Sequence, residues 1–310
     1  MTLSRRRALL AWGSLLASLW LGAPLAPPAS ARPWVEAELR VALVTETVLR
    51  GDTSSTNRSV TALIHTQTAA PEGATAGIDV PAGLGVTNPV PVSLVNVDAA
   101  APPSELDAIV YWGVGSSVPA GQPRTRRWRT RSSLRYSEGA TGLADPARLA
   151  AIDVSASGRG EYRARVSYAG ETRVTVGPTN DFLDPLTLSH PLDGKVDFGR
   201  PLAIAWAPVP RATAYCVVAT ARGGDGRTVL WESAWRCDLW ERHGVDWSMR
   251  NNIVLPLDQT SVTIPAGIFM GGPVQVQITA ISAASNRAGP FDARAWAQSR
   301  TSFVIGGRKP

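Results

Sequence analysis

Between Glu161 and Val176 the chain alternates with a period of two around a tight turn, and this leaves few folds open. Tyr162, Ala164, Val166 and Tyr168 fall on one side; Glu161, Arg163, Arg165 and Ser167 fall on the other. Ala169-Gly170 then returns the chain through Thr172 to Val176. A helix would scatter these apolar residues around its circumference, whereas a pleated hairpin gathers them on one face. Similar alternation, or a compact apolar run, recurs at 37–44, 60–68, 106–112, 202–206, 214–220, 228–231, 261–265, 274–280 and 302–305. An all-β protein is therefore expected. One short helix is expected where Asp145 can cap and Pro146 can open a first turn over Ala147–Ile152. Residues 69–91, rich in Gly, Pro, Ala and Thr, read as a long ordered loop or a mobile edge.

The start of the chain carries an address. Arg5-Arg6-Arg7 precedes an uncharged run from Ala8 to Gly22, and prolines then lead to Ala29-Ser30-Ala31. A basic start, a short apolar stretch and a small-x-small end make a secretory signal peptide over residues 1–31, cleaved after Ala31. The run is shorter than the ~20 residues that cross a bilayer, so no transmembrane segment is expected after processing. Ser4-Arg5-Arg6-Arg7-Ala8-Leu9-Leu10 also resembles the twin-arginine export motif, and both export routes stay open. The protein is expected to be periplasmic or secreted. Removing the leader's three arginines halves the formal net charge of +6, and a chain so near neutrality is not a specific nucleic-acid binder. In an oxidising compartment Cys216 and Cys237 can bridge; the alternative is two buried thiols.

Residues 177–185 contain Gly, two Pro and two Asp between strand-like stretches. They divide the chain into a β-rich domain at 32–178, a linker at 179–189 and a second domain at 190–306. Within the second, the Trp206 strand, the Pro208-Val209-Pro210 turn, the strand opening at Tyr215 and Val276-x-Ile278-x-Ala280 together resemble a fibronectin type III domain. That resemblance implies an antiparallel β-sandwich with Trp206 and Tyr215 in the core, and it implies no activity. The fold expected for the mature chain is two antiparallel β-sandwich-like domains. Tyr111-Trp112-Gly113-Val114-Gly115, Val118 and Gly121-Gln122-Pro123 resemble the Y-W-G-x-G-x-x-V-x-x-G-Q-P signature of a family of uncharacterised exported bacterial proteins. Asn180-Asp181-Phe182-Leu183 agrees with that family's layout.

Motifs for chemistry are sparse. His65, His190 and His243 form no HxH, HxxxH or HExxH pair, so a metal site of familiar spacing is not expected. His190 with Asp193 and Asp197 reads first as solvated loop. There is no G-x-S-x-G elbow. Gly113–Ser117 lacks the lysine of a phosphate loop and serves a tight turn or bulge. Asp181 and Asp184 suit turns as well as acid–base work. No catalytic residue, metal or cofactor is assigned.

Two clusters suit binding. Arg124, Arg126, Arg127, Arg129 and Arg131 run together, and in a strand Arg127, Arg129 and Arg131 share a face that can hold phosphate or carboxylate. The alternative is a solvated face paired with Glu138, Asp145 and Glu161. Trp231, Trp235, Trp240 and Trp247 form the second cluster; Trp231 belongs in a core, and Trp235, Trp240 and Trp247 suit either a packed loop or a binding rim, with Trp235 and Trp240 as the candidate contacts. The expected function is that of a non-catalytic exported protein that binds or scaffolds at the cell envelope. The partner would be an acidic glycan, a lipid head group or another envelope protein. A carbohydrate-binding or carbohydrate-active accessory and a surface-assembly subunit are the alternatives.

Overall fold

Alternation in the sequence becomes one-sided burial in the structure. The computed structural model describes residues 37–66, 68–96, 104–130, 142–144, 147–189, 196–237, 244–269, 272–287 and 293–306. Residues 1–31, with the expected leader, lie outside these. The first half contributes β1 (Ala37–Arg50), β2 (Thr53–Thr66), β3 (Ala76–Asp79), β4 (Val90–Val92), β5 (Leu94–Asn96), β6 (Ser104–Trp112), β7 (Arg124–Thr130), β8 (Gly142–Ala144), β9 (Ala147–Ile152), β10 (Gly160–Val166) and β11 (Gly170–Val176). The second contributes β12 (Leu202–Ala205), β13 (Ala212–Arg222), β14 (Thr228–Glu232), the helix α1 (Val245–Arg250), β15 (Leu255–Pro256), β16 (Ser261–Ile264), β17 (Pro273–Ser282), β18 (Ser285–Arg287) and β19 (Ala293–Gly306). The described residues are mainly β, as expected.

Among the described residues one sheet holds thirteen strands, in the order β5-β8-β2-β1-β19-β17-β13-β14-β6-β7. β9 adds to β2, β15 to β13 and β18 to β19. Strands from both sides of the expected boundary at 179–189 enter this sheet. The joins are parallel: β1 runs beside β19 from Leu39–Ala293 to Leu49–Phe303, and β14 runs beside β6 from Thr228–Ala108 to Glu232–Trp112. A second sheet has the order β11-β10-β3-β4, and β12 pairs with β16 in a third. Both smaller sheets share one core with the large sheet. Leu39, Leu43 and Ile64 meet Tyr162, Val174 and Ile78 in it, and Tyr215 and Ile278 meet Trp206 and Ile264. Trp206 packs edge-on against Tyr215, with centroids 5.3 Å apart.

The expected linker is a strap held by both halves. Phe182, Leu183 and Leu186 are buried. Thr45 Oγ1 donates to the Leu183 carbonyl at 2.8 Å, Leu186 N donates to Ser299 Oγ at 3.0 Å, and Thr301 Oγ1 donates to the Leu186 carbonyl at 2.6 Å. The strap then pairs with β12, where Ser189 N reaches the Ala205 carbonyl and Ala207 N reaches that of Thr187.

Two local expectations are corrected. The helix expected over 147–152 is strand β9, which pairs with Arg58, Val60, Thr61 and Ala62 of β2. Six residues give little helical stability on their own, and the free edge of β2 offers a ladder instead. The stretch expected as a long ordered loop or a mobile edge, 69–91, contains β3, a 3-10 turn at Ala82–Leu84 and the start of β4. Asn88 fixes it by accepting from Val80 N and donating to the Val80 carbonyl. No helix among the described residues is long and apolar enough to cross a membrane.

Candidate ligand-binding site

The outer end of the β14–β6–β7 sheet carries the arrangement best suited to a ligand, and it is assembled by the glycine-rich turn that follows β6. Gly113, Gly115 and Gly121 have φ of 92°, 149° and 83°, which side chains with a Cβ rarely adopt. The turn is fastened at each step. Gly113 N donates to the Glu232 carbonyl at 3.0 Å, Trp231 Nε1 to the Gly113 carbonyl at 3.1 Å, and Gly115 N to the Thr263 carbonyl at 3.1 Å. Gln122 Oε1 accepts from Trp112 N, and Gln122 Nε2 donates to the Trp112 carbonyl, both at 2.8 Å. The amide of Gln122 thus stands in for a neighbouring strand. Through Gly113 and Gly115 this stretch joins the first half of the chain to β14 and β16.

The turn after β14 supplies the facing wall. Cys216 and Cys237 form a disulfide with Cα atoms 6.0 Å apart, both residues buried. Ser233 N donates to the Val217 carbonyl, and Ser233 Oγ accepts from Val217 N. Arg236 has a φ of 57°, and its N–H donates to Glu232 Oε2 at 2.9 Å. These bonds fix Trp235 between Ala234 and Arg236. Its ring centroid lies 4.3 Å from that of Trp112, with the planes tilted by 57°. The two indoles form a corner rather than a coplanar platform.

Two arginines of β7 meet this corner in different ways. Arg126 donates from both terminal nitrogens to the two carboxylate oxygens of Glu232 at 2.8 Å, and both side chains are nearly buried, 11% and 3% exposed. Its guanidinium also lies 4.8 Å from the Trp235 centroid. Arg124 is exposed, 5.6 Å from the Trp112 centroid and 5.8 Å from that of Trp235, and it pairs with no carboxylate among the described residues. Arg126 is neutralised inside the site; Arg124 is a guanidinium ordered by aromatic faces with donors left for an anion.

Of the residues singled out from the sequence, Trp235 stands at this corner. Arg127 and Arg129 occupy β7 positions opposite Asp107 and Glu105; their side chains, and the whole of Arg131 and Trp240, lie outside the described residues. So do His190, Asp193 and His243. Trp231 is buried, as expected for a core residue. From the sequence, Arg124 and Arg126 belong to the binding run without being singled out in it, and Trp112 and Glu232 carry no site role. The available signal was parity: Arg124 and Arg126 alternate with the row that drew attention.

A second polar cluster surrounds Asp181. Its carboxylate accepts from Ser157 Oγ, Gly158 N, Phe182 N and Arg159 Nε at 2.8–3.0 Å. Burial alone would raise its pKa; these bonds and the Arg159 charge outweigh that and hold it below the ordinary value. Nearby, burial lowers the Arg58 guanidinium against the charges of Asp181 and Asp184, and burial raises the Tyr162 phenol, with the Asp181 charge adding to it. Arg58 reaches the Ala156 carbonyl and lies 4.9 Å from the Phe182 ring, and Arg211 donates to the Pro178, Asp181 and Phe182 carbonyls. The bonds of Asp181 and Arg211 hold the strap in place. Among the described residues no three His, Cys, Asp or Glu side chains are grouped to hold a metal ion. The chain matches no protein-family model and no curated protein.

Proposed function

We propose that this chain is an exported β-protein that works at the cell envelope by binding an anionic ligand, without turning it over, and that Arg124 on Trp112 and Trp235 is where it binds. The observation that carries the reading is the exposed guanidinium set against an indole corner and paired with no carboxylate among the described residues. Export rests on the leader at residues 1–31 with cleavage after Ala31. In the same reading the mature chain comprises two β-sandwich-like units that share a sheet, and residues 190–306 are fibronectin type III-like. The pairing of β12 with β16, the separate succession β14-β13-β17-β19 and the Trp206–Tyr215 contact support that assignment.

The test is retention of the mature protein on immobilised acidic glycans, neutral glycans and anionic lipid vesicles, with Arg124→Gln alongside. Retention on an acidic surface that Arg124→Gln abolishes supports the reading. Indifference to Arg124→Gln on every surface removes this site from the function. Turnover of any ligand replaces the binding role with catalysis.

A further inference from the structure

We infer that the anion recognised at this corner is the carboxylate of an acidic sugar, a uronate, and this rests on the binding role proposed above. Three features of the corner carry the inference. First, the group presented is a guanidinium, whose planar fork matches a planar carboxylate through two parallel hydrogen bonds. Second, Arg126 beside it is already matched by Glu232 through both carboxylate oxygens, so the charge Arg124 adds at the corner is a single one. A single positive charge balances a monoanionic carboxylate and leaves a dianionic phosphate monoester under-compensated. Third, the flanking surface is indole. Trp112 and Trp235 are half-buried, and the 57° tilt between them gives a corner that suits the C–H face of one sugar ring rather than an extended flat chain. An amphiphilic ligand with a carboxylate next to an apolar ring face fits both surfaces at once.

The mature, disulfide-bonded protein is titrated with three probes: an oligogalacturonate, the same oligomer as its methyl ester, and a phosphate polymer, a neutral oligosaccharide esterified with phosphate monoesters. The expected result is binding of the acid, loss of at least about tenfold with the ester, and no comparable binding of the phosphate polymer. Arg124→Gln is expected to weaken binding of the acid to the level of the ester, and Arg124→Lys to recover only part of it, because an ammonium cannot form the fork. Arg124 is exposed, so these variants fold normally. Trp235→Phe, read with near-ultraviolet circular dichroism, reports on the aromatic wall without emptying it. Equal binding of acid and ester overturns the uronate while leaving the site. Preference for the phosphate polymer overturns the carboxylate while leaving the anion. Binding of none of the probes overturns the uronate outright; Arg124→Gln then tests the anion-binding role separately on the acidic surfaces and vesicles.

Discussion

Glu232 is tightly constrained by its environment. Its carboxylate is nearly excluded from water and held by both terminal nitrogens of Arg126 and by Arg236 N. Removing one partner from such a pair strands a charge, whereas removing both replaces it with apolar packing. Arg126→Ala should therefore lower stability by about 3 kcal/mol, and Arg126→Met with Glu232→Met should recover most of that loss, as measured by the urea unfolding midpoint. His65 gives a pH dependence. It is buried on β2, opposite Glu38 on β1, and Arg40 donates to that same Glu38. Burial first, and then the Arg40 charge, lower its pKa from 6.5 to about 4. The unfolded chain takes up the proton near pH 6.5 and the folded one only near pH 4, so stability is greatest above pH 6.5 and declines as the pH falls between these values. The decline should reach at most about 3–4 kcal/mol, and His65→Leu should flatten it in thermal melts across that range. At this scale the sequence was legible where alternation is simple, as at Tyr162, Ala164 and Val166. It was not legible for Arg126 and Glu232, because their pairing depends on β6 lying parallel to β14.

Elements were more readable than their connections. The strands around 60, 108, 164, 217 and 278 follow from apolar alternation or compact apolar runs, and β9 was missed because its partner, the edge of β2, is remote in sequence. The turn from Gly113 to Pro123 announced its glycines but not its purpose. Its purpose is to tie β6 to β14 and β16, and Gln122 is the clip. Gln122→Ala leaves both the N–H and the carbonyl of Trp112 without that partner, so about 1–3 kcal/mol of stability should be lost, with a matching fall in the urea midpoint. The disulfide acts on the facing turn. Cys216→Ser with Cys237→Ser should cost about 2–4 kcal/mol. It should also weaken the near-ultraviolet signal of Trp235 and, with it, ligand retention; unchanged retention would mean that Ser233 and Glu232 alone hold the turn.

For the whole molecule, the lesson lies in the two parallel joins. Composition marked 177–185 as a boundary because Gly, Pro and Asp usually make exposed connections. Here those residues turn the chain through a shared core, and Asp181 and Arg211 satisfy the backbone polar groups that burial would otherwise strand. Local periodicity carries no information about which distant strand completes a sheet. Residues 190–310 expressed alone would expose the edge of β19 that β1 covers and the edge of β14 that β6 covers. Such edges template association, so this piece should aggregate or self-associate in size-exclusion chromatography where the whole mature chain does not.

β19 lies between β1 and β17, so the earliest described strand waits for one of the last to be synthesised. Until residues 293–306 arrive, the β1–β2 ribbon and the strands around β17 are separate assemblies, each with a sticky flank. Completion of the sheet is thus a late event that spans nearly the whole polypeptide, and topology of this kind slows folding. A premature stop just before Ala293 would therefore split the large sheet in two rather than trim it, and a holding chaperone that keeps the early ribbon solitary would raise the yield of native protein.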